Sequence, residues 1–578
     1  MPETPAIQPT PAAQAVKCKY CNMTGCTMPG HTGTEALTRA SSDKPAVKCK
    51  YCNMIGCTMP GHSGTQALTR VPGDEPAIMT HAGIPTWMAS GGIILIVLVT
   101  HILVSRRRGT PIQASYPRRR LLQSKFIKAL VNRPFFPLLI QSVSIGLFLL
   151  VIVAGLIGSQ RTNIGPVLTW TWWWVLLIFL ILGFGKAFCA VCPWEGISAM
   201  VTSLSLRSRV KKLGWERKWP KWARNIYPAL ALFIILTWLE LGLDITRSAS
   251  MTAVLGLGFA AAAVLTALLF ERRAFCRYLC FVGRIQGLYA LFSPVELRPQ
   301  SVDACRSCTG KECYNGSETA TGCPTHLFPA ALKENTYCTL CTECVRACPH
   351  DNLEINIRPL GTDLYRKIHF RWDEAVFAVV LLALTIFHGV TMTPAWTRLN
   401  DLLRVETGVG PKVAFTVLMA VTTILPVWIF WLTAAAARRL ARTGDLSTGK
   451  IFKAFAYGVI PIALFYHLAH NGMHFFMEAQ YLVPLLSDPF GWGWNLFGTA
   501  GKAYPPLLSL RSIWWIQILL VIVGHVYGVL VSDRICRSLF SDRRVAQRAL
   551  VPLLACMILL SAVSVWLIAQ PMEMRSGM

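Results

Sequence analysis

The sequence predicts an all-α polytopic membrane protein of about ten transmembrane helices, broken once by a small cytoplasmic α+β insertion. Three observations carry that prediction. The 578 residues are 53% hydrophobic and only 15% charged, with a mean hydropathy of +0.45, a balance foreign to soluble enzymes. Apolar runs of bilayer-crossing length recur along the chain. Cysteines gather between two such runs in ligand-like spacing.

The apolar runs fall at 87–104, 135–158, 168–188, 227–245, 251–270, 372–392, 411–436, 452–477, 513–532 and 549–569. The formal net charge of +27 comes from 56 Lys and Arg against 29 Asp and Glu. In a soluble chain this would suggest nucleic acid, but here the basic residues sit in short loops. Arg106 to Arg133, 207–224, 271–277, 438–453 and 534–548 are basic, whereas 159–167, 244–250, 393–410 and 479–511 are poor in Lys and Arg. The positive-inside rule puts the first set in the cytoplasm. The expected location is a bacterial-type cytoplasmic (inner) membrane, with both termini outside. No apolar core of signal-peptide length is present in the first eighty residues. The expected partners are the lipid bilayer, the quinone pool or a redox protein, and an extracytoplasmic metalloprotein or cytochrome, with no nucleic acid.

The organisation follows from these runs. Residues 1–86 form an outer tail, 87–296 carry helices one to five, 297–360 form the insertion, and 361–578 carry helices six to ten. The tail holds two near-identical units, 17–39 and 48–70, separated by a Pro, Ala and Ser-rich linker. Each has three cysteines and a histidine: Cys18, Cys21, Cys26 and His31, then Cys49, Cys52, Cys57 and His62. That donor set suits tetrahedral zinc. Met23, Met28, Met54 and Met59 add soft sulfur that selects Cu(I), so both metals stand as readings. A unit this short cannot bury a core, and a bound metal would fold it.

The insertion carries the most specific signal. Cys338, Cys341, Cys344 and Cys348 read C-x2-C-x2-C-x3-C and precede Pro349, the ligand run of a bacterial-type ferredoxin, whose fourth cysteine serves the other cluster of a pair. Upstream, Cys305, Cys308, Cys313 and Cys323 complete a second set. The crossed assignment gives one [4Fe–4S] cluster Cys338, Cys341, Cys344 and Cys323, and the other Cys305, Cys308, Cys313 and Cys348. Two zinc sites are the alternative, and the spacing fits them poorly. The insertion is thus expected to be a two-cluster ferredoxin-type domain, and the function to be one-electron transfer.

Two cysteine pairs flank span ends: Cys189 and Cys192 in GKAFCAVCPWEG, and Cys276 and Cys280 in RRAFCRYLCFVGR. They are candidates for a further metal site or a redox-active dithiol, with buried structural thiols as the alternative. Cys536 and Cys556 receive no role. With these motifs, 130–360 resembles the NapH/NosR/CcoG family of membrane iron–sulfur proteins. The first pair is C-x2-C-P where that family has C-x3-C-P, and the second has Phe281 in place of proline. The resemblance implies electron passage between quinol or a cytoplasmic donor and an extracytoplasmic acceptor, as a quinol dehydrogenase-type component. Likeness to CcoG implies the alternative: copper reduction and delivery for assembly of a metalloenzyme.

The C-terminal spans hold histidines, which are costly in lipid and usually paired or functional. His467, His470 and His474 share one helical face. By depth, His388 with His470, and His467 with His525, are candidate haem b ligand pairs. A non-haem copper site using His470, Met473, His474, Met477, Glu478 and Met392 is the rival, beside packing or a quinone pocket. Trp170, Trp172, Trp173 and Trp174 read as interfacial anchors. No nucleotide-binding glycine motif, flavin site or catalytic carboxylate pair is visible.

Overall fold

Apolar composition dictates helices, because a chain in lipid must satisfy its backbone hydrogen bonds within the segment. The computed structural model describes residues 79–81, 83–106, 116–133, 135–203, 214–215, 217–271, 273–318, 320–367, 369–442 and 446–574. Both cysteine–histidine units of the tail lie outside these residues.

Eight helices among the described residues are long and apolar enough to cross a membrane. They are α1 (Thr86–Arg106), α2 (Phe135–Ile157), α3 (Ile164–Phe184), α6 (Ala249–Leu269), α8 (Trp372–Thr391), α10 (Pro411–Ala441), α13 (Leu510–Leu539) and α14 (Arg543–Ala569). A ninth candidate is broken. α11 (Thr448–Phe455) and the helix beginning at Ile460 meet at a 42° bend. α12 (Ile460–Glu478) contains the histidine face. The tenth expected span is shorter than proposed: α5 (Tyr227–Gly242) has 16 residues, about 24 Å of helix at 1.5 Å per residue. Asp244 in a left-handed conformation follows it and starts a 3-10 turn. Among the shorter helices are α4 (Pro193–Ser203), α7 (Phe281–Tyr289) and α9 (Pro394–Thr407).

The tryptophan cluster differs from the anchor reading. Val167–Trp173 is π-helical. Trp170 is buried and its indole N–H donates to Thr252 Oγ1 at 3.0 Å. Trp172 donates to the Ala479 carbonyl at 3.2 Å. A π-bulge rotates side chains relative to an α-helix, and here the indoles turn toward neighbouring helices as well as lipid.

The insertion is built on a three-stranded antiparallel sheet in the order Arg119–Arg120, Leu353–Ile357, Val295–Pro299. The register pairs Val295 with Ile357 and Pro299 with Leu353. The edge strand comes from the basic segment after α1, so a loop far upstream completes the insertion. Alternation alone could not reveal a two-residue strand.

Buried ion pairs fasten this unit to the helices. Glu374, at the start of α8 and fully buried, accepts hydrogen bonds from the Tyr337 hydroxyl at 2.6 Å and from Lys367 at 3.1 Å. Arg358 bridges Glu296 and Asp363. Arg534 at the end of α13 donates to the Tyr365 carbonyl at 3.1 Å. The basic segment at 119–120 therefore pairs with the insertion's sheet, and Arg534 meets the chain just after the insertion. Loops of the other set meet one another: Ser159 donates to the Phe490 carbonyl, and Ser250 to the Gln160 side chain.

Candidate metal centres

Twelve cysteines line three cavities, four to each. The first cavity, about 310 Å3, is lined by Cys305, Cys308, Cys313 and Cys348. Ser301 caps the helix Val302–Ser307 that presents Cys305. Asn352 donates from its side chain to Cys305 Sγ at 3.2 Å and from its backbone to Cys348 Sγ at 3.5 Å. The second cavity, about 360 Å3, is lined by Cys323, Cys338, Cys341 and Cys344. The Leu327 N–H points at Cys323 Sγ at 3.3 Å. Leu340 and Thr342, on either side of Cys341, have φ of 53° and 63°. A left-handed β-branched residue is strained, and here the strain accompanies a loop curled around thiols. Phe328 lines the first cavity, while Leu327 and Pro329 line the second.

The third cavity, about 530 Å3, lies at the end of the helices and is lined by Cys189, Cys192, Cys276 and Cys280. Cys189 and Cys192 come from the turn between α3 and α4. Cys276 lies in the π-turn Phe275–Leu279, and Cys280 caps α7, accepting from the Gly283 N–H at 3.4 Å. Thr325 and Thr339 belong to the insertion and line both the second and the third cavity. The two thus share a wall.

Among the described residues no group of three or more His, Cys, Asp or Glu converges to hold one metal ion. Four thiols around a cavity, with N–H groups aimed at the sulfurs, fit a cluster with all-cysteine ligation. Burial pushes the Cys313, Cys338 and Cys280 thiols up to about 11 and also raises Cys344, Cys276 and Cys192. Such thiols stay protonated at neutral pH until a metal takes the proton's place. Cations surround the third cavity: Lys186 and Arg273 line it, and Arg284 donates to the Cys276 carbonyl at 2.9 Å. Arg273 is paired with Glu195. These groups were not singled out from sequence, although each lies close to a cysteine in the two quoted motifs.

The histidines behave differently. His525 meets Thr100 Oγ1 through Nε2 at 2.7 Å and Ser561 Oγ through Nδ1 at 2.9 Å, so both nitrogens are engaged. His467 meets the Tyr289 hydroxyl at 3.3 Å. His525 therefore has no nitrogen left for a haem iron, whereas His467 is engaged through Nδ1 alone. His388 and His470 do come together, but as rings in edge contact, 5.2 Å between centroids. Axial ligands sit on opposite faces of a porphyrin, and rings in direct contact leave no space for one. His474 lies 5.2 Å from His470 and bonds Glu478 at 3.1 Å. Met392, Met473 and Met477 pack together nearby. Cys536 and Cys556 are separate buried thiols.

Comparison with known proteins bears on the third cavity. Residues 166–212 and 252–298 each match one family, described as a 4Fe-4S binding domain. These matches support 4Fe-4S clusters in this chain. Each matched segment contains one of the two flanking cysteine pairs, and the structure brings both pairs to one cavity. The chain is also 27% identical over 202 residues to an Escherichia coli (strain K12) protein named "Putative electron transport protein YccM". The alignment covers 30% of this chain and 52% of that protein, so the chain spans about half the length of this relative. No solved structure matches it. The matches reach the coarser class, an iron–sulfur family, and do not single out the NapH/NosR/CcoG group.

Proposed function

We propose that this chain is a membrane-bound iron–sulfur electron-transfer protein with three four-cysteine centres, arranged from the insertion to the membrane face. The observation that carries the proposal is the sorting of twelve cysteines into three cavities, two of which share a wall. Cys305, Cys308, Cys313 and Cys348 would hold one cluster, and Cys323, Cys338, Cys341 and Cys344 a second. Cys189, Cys192, Cys276 and Cys280 would hold a third. A bound [4Fe–4S] cluster supplies one-electron oxidation and reduction at a potential set by its surroundings.

The residues of the chain do the rest. Asn352, Leu327 and Gly283 donate to sulfur and favour the thiolate form. Glu374, Tyr337 and Lys367 clamp the insertion against α8, which keeps the neighbouring centres in register. The relative's name supports electron transport, and the likeness of 130–360 to NapH, NosR and CcoG supports a quinol or cytoplasmic donor and an extracytoplasmic acceptor. The basic loops support a cytoplasmic insertion.

Iron and acid-labile sulfide per chain, measured on the purified, detergent-solubilised protein, test the proposal. About twelve of each is the expectation for three cubanes. About eight would confine the clusters to the insertion. A chain with zinc in place of iron would overturn the reading.

A further inference from the structure

Among the described residues, two cations at the third cavity form no ion pair with a carboxylate. Lys186 is 2% exposed and lines the cavity. Among the described residues it forms no ion pair with a carboxylate. It packs beside Cys280: a Cβ built on Gly283 would lie 3.8 Å from both Lys186 Cε and Cys280 Sγ. Arg284 is 4% exposed. Its side chain meets the Cys276 carbonyl and the face of Tyr337, and Nε has no partner. Among the described residues it too forms no ion pair with a carboxylate.

Arginines near the other two cavities are neutralised. Arg298 is paired with Glu296 and Asp363, and Arg346 with Glu343. Even at the third cavity Arg273 has Glu195. Lys186 and Arg284 therefore form a local excess of positive charge. Buried charge is tolerated when an opposite charge stands close by, and four thiolates in this cavity are the available anions.

We infer that Lys186 and Arg284 make the Cys189, Cys192, Cys276 and Cys280 site the most easily reduced of the three. The inference rests on reading that cavity as a cluster site. Accepting one electron adds one negative charge at the site. Nearby positive charge stabilises the reduced form more than the oxidised form, and the potential rises. The two cations are positioning residues and touch no substrate. They would draw electrons from the insertion to the membrane face.

The test is a redox titration of the full chain in detergent, followed by electron paramagnetic resonance with dithionite as reductant. Cys280→Ser assigns the signal of the third centre. That signal should have the highest midpoint of the three. Lys186→Gln should lower it and leave the other two unmoved, and Lys186→Arg should restore it. Arg284→Gln should act in the same direction. If Lys186→Gln loses the centre altogether, Arg284→Gln carries the same comparison.

An assigned signal that lies below the others overturns the inference, as does one unmoved by both neutral substitutions. Both outcomes leave the three-centre reading intact. If Cys280→Ser loses neither iron nor a signal while the wild type holds only about eight irons, the reading itself fails and the inference falls with it.

Discussion

The cysteine-bearing and the histidine-bearing parts of this chain offer a controlled comparison. Both present soft or borderline ligands at regular spacing. The cysteines sit in turns and at helix ends, and they converge four at a time. The histidines sit within helices, and most are claimed by other partners. His525 is held by two hydroxyls and His467 by Tyr289. A short loop wraps its own ligands around a common point, so spacing along the chain already describes a site. A helix places ligands on a face and leaves it to the neighbouring helix to supply either a metal partner or a hydrogen bond.

The comparison can be broken most sharply at the cysteines. Cys341→Ser should remove the second centre, about four irons per chain, whereas Cys556→Ser should remove none. Iron and sulfide analysis of both variants decides it. Equal iron in the two would erase the distinction between cavity and isolated thiols.

Next in size is the clamp between insertion and helices. Glu374→Ala leaves Lys367 with a weaker set of partners in a buried site, where breaking an ion pair costs about 3–5 kcal/mol. Thermal unfolding in detergent should show a clearly lowered midpoint. An unchanged midpoint would mean that the insertion is held by other contacts.

The histidines give a smaller effect. His525→Ala leaves the Thr100 and Ser561 hydroxyls without their ring partner, a loss of about 1–3 kcal/mol. The visible absorption spectrum of the purified chain should not change. A lost absorption band would restore His525 as a cofactor ligand. The smallest effect belongs to a helix cap. Asp542 accepts from the N–H groups of Arg544 and Val545, so Asp542→Ala should cost about 1 kcal/mol, read from the same thermal midpoint.

Much of the architecture was legible because lipid imposes a length and polarity rule on every helix. The eight long helices follow the apolar runs closely. The rule gave too long a span at 227–245, where the helix ends at Gly242, and it could not foresee the bend between Phe455 and Ile460. The four-by-four grouping of the insertion cysteines was legible from spacing. The third cavity was only half legible. Each pair is visible as a motif, but Cys192 and Cys276 are brought together by the packing of α4 against α6, with the π-turn Phe275–Leu279 following.

By itself, then, the sequence determined where most of the apolar helices form, which loops are basic and which cysteines are close along the chain, since these depend on local composition and spacing. The tertiary structure alone decided that two distant pairs meet beneath Thr325 and Thr339, that Arg119 and Arg120 complete the insertion's sheet, and that Lys186 lines the four-thiol cavity while Arg284 reaches the Cys276 carbonyl. Those are contacts between remote segments. They follow from which surfaces pack together, which no local window of sequence contains.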